Sequence, residues 1–238
     1  MTDLPATAYR FEDLTALMSL MTGDEKHGTA ATSTLDALWV LYDQVLKIDP
    51  DAPDDAARDR FYLSKGHGPM AFYAVLTAKG FLDPLLLPTF GAFDSPLGYH
   101  PDRNLLPGVE ISAGSLGHGL PLAVGTVLGH RARGLIGPRV FVLLGDGELE
   151  EGSNHEAIAF AGYAAMSELT VVVIDNTSTS LGWPGGIGSR FTVEGWSAVR
   201  VDGRDHDALQ RAFTMAHRDR PHVIVAAVEP KDPTDLPR

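Results

Sequence analysis

The sequence predicts an α/β fold in which a mainly parallel β-sheet is covered by helices on both faces. The runs 140–144 and 170–174 are continuously apolar and rich in β-branched residues, as expected of strands buried on both sides of a parallel sheet. Helical sequence over 150–166 separates them, which predicts a strand–helix–strand unit with a right-handed crossover. The same alternation continues with a strand at 197–201, a helix at 207–217 and a strand at 222–228.

The part of the chain before residue 134 is predicted to be mostly helical. Helices are expected over 10–21, 34–48, 68–80 and 118–133. The first two show apolar residues at the i, i+3, i+4, i+7 spacing of one helix face. Asp49-Pro50 ends the second, because the residue before a proline avoids helical geometry. The Pro- and Gly-rich stretch 84–108 is predicted to be an irregular loop, and long loops inside compact domains are usually functional.

Length and composition set limits on the kind of protein this is. With 238 residues and 44% apolar residues, the chain is expected to form one domain over 1–238, with residues 1–9 flexible and 229–238 a C-terminal tail. The net charge of −12 argues against a nucleic-acid partner. No apolar run is long enough to span a membrane and the N-terminus does not resemble a leader peptide, so a cytoplasmic location is expected. The absence of cysteine leaves oxygen and nitrogen as metal ligands.

Two polar turns follow the two central strands. Gly145-Asp146-Gly147 ends the first, and Asp175-Asn176 ends the second. Ligands of open α/β sheets bind beyond the carboxyl ends of the strands, and adjacent parallel strands would bring these turns together. A carboxylate oxygen, an amide oxygen and a backbone carbonyl would supply half of the octahedral shell that magnesium prefers. The sequence therefore predicts an anion site bridged by a cation.

Longer motifs surround these turns. The segment Gly145-Asp-Gly-Glu-Leu-Glu-Glu-Gly-Ser-Asn-His-Glu-Ala, with Asp175-Asn176, resembles the thiamine-diphosphate signature of transketolase-type enzymes. Ser64-Lys-Gly-His-Gly, Gly98-Tyr-His-Pro and the segment 107–120 resemble the other signatures of the transketolase N-terminal region, in the family's order. The likeness runs from about residue 25 to 176, with a weaker similarity at 201–205. It implies thiamine diphosphate and Mg²⁺ as cofactors.

The resemblance implies roles for the residues that match its motifs. The magnesium ligands would be Asp146, Asn176 and the backbone carbonyl of Ser178. The diphosphate would be bound at Gly145, Gly147 and His67. The rings of the cofactor would be lined by Gly114, Ser115 and Leu116.

The resemblance also implies residues for substrate binding and for contact between subunits. His27 and His100 match histidines near the substrate's hydroxyl groups. His118 stands where the family often has glutamine and would still offer a hydrogen bond. Glu151 and Glu156 match acidic residues at the family's subunit interface, although solvated acids in the first turns of a helix are also favourable by themselves.

The family activates the cofactor with a glutamate on a separate pyrimidine-binding domain, which has no counterpart in this sequence. The chain therefore resembles the N-terminal subunit of a split transketolase. We expect it to be inactive alone and to form a two-plus-two heterotetramer with a C-terminal, pyrimidine-binding subunit. The segment after Asn176 departs from the usual motif, and a later histidine-containing loop is missing, which would trim the pocket.

The leading functional prediction is transfer of a two-carbon ketol unit from a ketose or ketose phosphate to an aldehyde. Two alternatives remain open: a specialised 2-oxo-acid decarboxylase or acyl-transfer enzyme that uses the same cofactor, and a non-catalytic regulatory subunit. Several histidines near the reacting carbon favour a hydroxyl-rich ketose. A nicotinamide-binding domain is disfavoured, because no Gly-x-Gly-x-x-Gly motif follows an early strand.

Overall fold

The structure, a computed structural model, describes residues 9–22, 28–180 and 182–230. Its strands are β1 (Arg60–Leu63), β2 (Val140–Gly145), β3 (Leu169–Asp175), β4 (Ser197–Asp202) and β5 (His222–Ala227). Its helices are α1 (Leu14–Ser19), α2 (Gly28–Val40), α3 (Met70–Ala78), α4 (Gly119–Ala132), α5 (Gly152–Tyr163), α6 (Ile187–Thr192) and α7 (His206–Phe213). A π-helical turn extends α2 through Leu41–Val45.

The five strands form one parallel sheet in the order β1-β2-β3-β5-β4. The predicted parallel α/β fold is therefore confirmed. β2 and β3 are neighbours, and Gly145 pairs with Ile174 in their register. The next residue, Asp146, donates its backbone N–H to the Ile174 carbonyl at 3.0 Å. The two turns singled out in the sequence thus begin side by side.

Helices pack on both faces of the sheet, and alternate residues of each strand face opposite layers. Along β3, Val172 and Ile174 belong to the core beneath α1, α2, α3 and α7. Val171 and Val173 belong to the core beneath α4, α5 and α6. All four side chains are essentially inaccessible to solvent, and each buried aliphatic side chain contributes about 1.5–3 kcal/mol. This double packing holds the carboxyl edge of the sheet rigidly.

Several predicted boundaries differ from the observed ones. The edge strand β1 and the short helix α6 were not predicted from the sequence. α2 begins at Gly28 rather than near residue 34. The stretch 84–108 opens with a 3₁₀ turn, Pro84–Thr89, and is otherwise irregular, as predicted. Within the described ranges, no helix is both long enough and apolar enough to cross a membrane.

Candidate functional site

Asp146 joins the ends of β2 and β3. Its side chain is buried, with 1% of its surface exposed. Oδ1 accepts the N–H of Gly147 at 2.9 Å, and Oδ2 accepts the N–H of Ser178 at 2.7 Å. The Ser178 hydroxyl also donates to Oδ1. The carboxylate therefore fixes the loop that follows β3 against the Gly145–Gly147 turn.

Asn176 has an unsatisfied oxygen at the same edge. The side chain is 7% exposed, and its Oδ1 has no hydrogen-bond partner in the part of the chain that the structure describes. Leaving a buried acceptor unpaired costs about 1–3 kcal/mol. A cation would satisfy this oxygen, and an amide oxygen is a ligand that magnesium accepts.

The backbone after Asn176 turns back toward β2. Thr177 adopts a φ of 57°, a left-handed conformation that β-branched residues rarely adopt and that is concentrated at functional sites. The turn brings the Ser178 carbonyl oxygen within 3.5 Å of where a Cβ on Gly147 would lie. The three predicted magnesium ligands thus lie on adjoining segments, and their oxygen donors fit a hard cation.

This oxygen set differs from a side-chain metal cluster. Within the described residues, no group of three or more His, Asp or Glu side chains could hold a metal ion. Asp175, the carboxylate that directly precedes Asn176, is paired with Arg200 at 2.7 Å and also accepts the Thr177 N–H at 3.3 Å. Asp146 is therefore the carboxylate at this turn that a cation would meet, with non-acidic oxygens beside it.

The predicted ring-binding and histidine loops converge on this edge. A Cβ on Gly66 would overlap the Cβ of Ala113, so the loop carrying His67 packs against the segment carrying Gly114. Gly114 has a φ of 126°, and a Cβ there would lie 3.4 Å from the His100 ring. His100 itself is exposed, so a ligand at Gly114 would meet its imidazole.

The remaining predicted residues occupy the approach to α4. Ser115 and His118 are exposed, and the Ser115 hydroxyl lies 3.4 Å from the His118 Nε2. Leu116 is half-buried, and His118 immediately precedes α4. His27 lies outside the described residues.

Glu151 is exposed directly before α5, and Glu156 is exposed within this helix. Glu151 lies beside the ring-binding loop, because a Cβ on Gly117 would come within 2.7 Å of the Glu151 Cβ. Glu156 shares an exposed face with Phe160 and Tyr163, which follow it at helical spacing and are 44% and 90% exposed. The exposed part of α5 is therefore partly apolar.

Two further glutamates belong to the site but were not singled out from the sequence. Glu150 accepts hydrogen bonds from the hydroxyls of Thr179 at 2.8 Å and Ser180 at 2.9 Å, which holds the loop after β3. Glu148 is buried and accepts backbone N–H groups of two glycine loops. Its burial raises the pKa of the carboxyl. In the sequence both residues are part of an acidic run, which usually indicates a solvated surface.

Known proteins are similar to this chain in sequence. The family described as "Transketolase, thiamine diphosphate binding domain" matches residues 13–228. One of the subunits of the apulose-4-phosphate transketolase of Phocaeicola vulgatus is 33% identical over 203 residues, covering 82% of this chain and 71% of that protein. A Rhodococcoides fascians protein named Ferredoxin fas2 is 56% identical over 222 residues, covering 93% of this chain and 73% of that protein.

Longer transketolases also match this chain, one as a solved structure and one in sequence. The transketolase of Campylobacter jejuni superposes with a TM-score of 0.78 at 26% identity, covering 91% of this chain and 37% of that one. The transketolase of Sinorhizobium medicae is 34% identical over 93% of this chain, which corresponds to 33% of its own length. The chain thus spans about a third of these transketolases. It belongs to the transketolase family and comprises that family's thiamine-diphosphate-binding domain.

Proposed function

We propose that this chain binds thiamine diphosphate through a magnesium ion and transfers two-carbon ketol units together with a second subunit. The observation that carries the proposal is the buried Oδ1 of Asn176, which has no hydrogen-bond partner among the described residues and lies beside the Asp146 turn. Asp146, Asn176 and the Ser178 carbonyl would hold the magnesium. The diphosphate would bind at the Gly145–Gly147 turn, where the two glycines have no side chain to keep it at a distance.

Thiamine diphosphate, when bound, supplies a carbon centre that can accept and release a two-carbon unit, while the protein supplies binding and orientation. His67 would donate to the diphosphate. The segment Gly114–Leu116 would lie along the rings. The positive φ of Gly114 favours glycine at this position, and the missing side chain leaves the space before His100 open.

His27, His100 and His118 would bind substrate hydroxyls. An imidazole can donate through one ring nitrogen and accept through the other, which suits the hydroxyl groups of a ketose. His100 is exposed next to Gly114, and His118 is exposed at the start of α4. This arrangement favours a polyhydroxylated donor over a simple 2-oxo acid. The name of the Phocaeicola vulgatus relative is consistent with a ketose phosphate.

The partner subunit would carry the pyrimidine-binding domain and would pack on the exposed faces of α4 and α5. Leu122 on α4 is 50% exposed, and Phe160 and Tyr163 on α5 add further apolar surface. A Cβ on Gly125 would meet no atom of the described residues within 4 Å, so a partner helix could approach the α4 backbone closely. Relatives that are named as single subunits of apulose-4-phosphate transketolases support a two-chain enzyme, which we expect to assemble as a two-plus-two heterotetramer.

The name Ferredoxin fas2 does not suggest a function for this chain. Ferredoxins hold their iron–sulfur clusters with cysteine thiolates, and this sequence contains no cysteine.

Calorimetric titration with thiamine diphosphate, with and without Mg²⁺, tests the cofactor proposal. We expect binding that requires the metal. A second assay would mix the chain with a pyrimidine-domain subunit from a neighbouring reading frame, a ketose phosphate and an aldehyde. Ketol transfer should occur only when both chains are present. Clear turnover by this chain alone would refute the two-chain proposal, and a lack of cofactor binding would refute the site.

A further inference from the structure

Glu148 contacts three loops that are distant from one another in sequence. Its side chain is 2% exposed. Oε1 accepts the Gly117 N–H at 2.9 Å and a hydrogen bond from the Ser64 hydroxyl, while Oε2 accepts the Gly145 N–H at 3.3 Å. One carboxylate thus connects segments that are 84, 31 and 3 residues away along the chain.

Each of the three segments carries part of the proposed cofactor site. Ser64 begins the loop that contains His67. Gly117 directly follows the Gly114–Leu116 segment. Gly145 immediately precedes Asp146. The three loops contribute groups to the diphosphate, the rings and the metal respectively, so their relative positions determine whether these groups can act on one ligand.

The connection continues into α4. The Ser64 hydroxyl, which donates to Glu148, accepts the Gly119 N–H at 2.9 Å at the first residue of that helix. A Cβ on Gly119 would lie 2.3 Å from the Ser64 Cβ, so the two backbones are in close contact. Glu148 therefore also fixes the beginning of α4, directly after His118.

Space filling does not explain a carboxylate at this position. Burying a charged group is costly unless hydrogen bonds compensate, and an apolar side chain of similar volume is often at least as stable. Gly117 and Gly145 have no side chain with which to hold their loops, whereas their N–H groups are directional donors. The two oxygens of a carboxylate at this point satisfy the Ser64, Gly117 and Gly145 donors together.

We propose that Glu148 is a positioning residue that sets the relative placement of the three cofactor-binding loops. The inference rests on the proposed function, since it assigns Glu148 a role at the thiamine-diphosphate site. Glu148 acts through the loops and does not need to contact the cofactor. Its removal should therefore weaken cofactor binding more than it weakens the fold.

The test compares Glu148→Gln with Glu168→Gln. Glutamine keeps the volume of Glu148 but turns an NH₂ group toward one of the donors. Glu168 is a suitable control because it is also held by charged hydrogen bonds, to Arg131 at 2.7 and 2.8 Å, at the opposite end of β3. Three quantities would be measured for each: the Kd for thiamine diphosphate at saturating Mg²⁺, the melting temperature without cofactor, and hydrogen exchange.

We expect Glu148→Gln to raise the Kd at least tenfold, while Glu168→Gln leaves it within twofold of wild type. Hydrogen exchange should accelerate in peptides covering 60–68, 113–119 and 143–147 together, whereas β3 and β5 remain protected. A merely structural role would lower the melting temperature without changing the Kd at a temperature well below unfolding. That result would overturn the inference.

Ser64→Ala provides a second variant should Glu148→Gln fail to fold. It removes one donor to the carboxylate and should raise the Kd about threefold with accelerated exchange over 60–68. If the Kd is unchanged in both variants, the positioning role is refuted, whereas the proposed function is not. Failure of the wild-type chain to bind thiamine diphosphate would instead refute the proposed function, and the inference with it, so the two failures are distinguishable.

Discussion

The carboxylate of Asp146 reaches across the end of the sheet and accepts the backbone N–H of Ser178 at 2.7 Å. The same side chain also accepts the Gly147 N–H. Asp146 is therefore a structural connection between two loops and, in our proposal, a magnesium ligand. These two roles can be separated by experiment, because the connection between the loops needs acceptor oxygens and the binding of magnesium needs a negative charge.

Asp146→Asn and Asp146→Ala should both abolish magnesium-dependent binding of thiamine diphosphate. Asparagine retains one acceptor oxygen, whereas alanine leaves the Ser178 and Gly147 donors without their partner. Alanine should therefore also lower the free energy of unfolding, by about 2 kcal/mol. Calorimetry and urea denaturation measure the two effects. Normal cofactor binding by either variant would show that the metal site has been assigned to the wrong residues.

Asn176→Ala should affect metal binding but not the stability of the cofactor-free chain. The Asn176 Oδ1 makes no hydrogen bond to any described residue, so its removal breaks none. We expect the free energy of unfolding to fall by less than about 1 kcal/mol, because the cost of the unpaired acceptor is removed with the side chain. The Mg²⁺ concentration for half-maximal cofactor binding should rise about tenfold. A large loss of stability with an unchanged magnesium requirement would indicate a structural role only.

Gly117→Ala should destabilise the chain, and Gly125→Ala should not. Gly117 has a φ of 81°, and an added Cβ would lie 2.5 Å from the Ser153 Oγ. We expect a loss of about 2 kcal/mol from backbone strain and crowding. Gly125 is helical with open space around it, so alanine should stabilise the isolated chain by up to about 1 kcal/mol. Chemical denaturation compares the two, and equal effects would contradict the local geometry.

Stability should fall in acid partly because of His222. The ring is completely buried, and burial lowers its pKa to about 4, below the 6.5 of an exposed histidine. Between these values the unfolded chain takes up a proton that the folded chain does not. Neutral His222 therefore makes its full contribution to the free energy of unfolding above pH 6.5, and this contribution is lost as the pH falls through about 4.

His222→Phe is the matching variant, since it removes the titration and keeps a ring against His217, whose centroid is 5.0 Å away. Unfolding curves from pH 8 to 4 should decline less steeply for the variant than for wild type. Parallel curves would mean that His222 does not contribute to the acid sensitivity.

Tyr163→Ser combined with Phe160→Ser should weaken association with the partner subunit. Both side chains are exposed on α5, so the melting temperature of the isolated chain should change little. Phe93→Ser is the control, because Phe93 is also an exposed aromatic residue but belongs to the 84–108 stretch and not to α4 or α5. Light scattering of mixed subunits measures the assembly. Undiminished assembly by the double variant would place the interface elsewhere.

The adjacency of Asp146 and Asn176 could be predicted because it follows from the sheet. Two continuously apolar runs separated by one helix specify neighbouring parallel strands, and each polar turn directly follows its strand. The observed pairing of Gly145 with Ile174 confirms that reasoning. The roles of these residues toward magnesium and thiamine diphosphate stay predictions.

Other features depend on contacts that no local pattern encodes. The strand β1 contains only four residues, Arg60–Leu63, which is too short for a periodic signal, and its pairing with β2 defines it. Glu148 could not be distinguished from its acidic neighbours, because its burial comes from Ser64 and Gly117, far away along the chain. The left-handed conformation of Thr177 is likewise imposed by the loop rather than favoured by a β-branched residue.

The ion pair between Arg200 and Asp175 affects which charges a ligand would meet at the carboxyl edge of the sheet. Because Asp175 is paired with Arg200, Asp146 would be the one charged residue among the proposed ligands of a divalent cation. The cation and its protein ligands would then keep one net positive charge facing the ligand. A second carboxylate among the ligands would cancel that charge and weaken the attraction for a polyanion. A chain with a net charge of −12 can in this way have a locally positive binding site for a diphosphate.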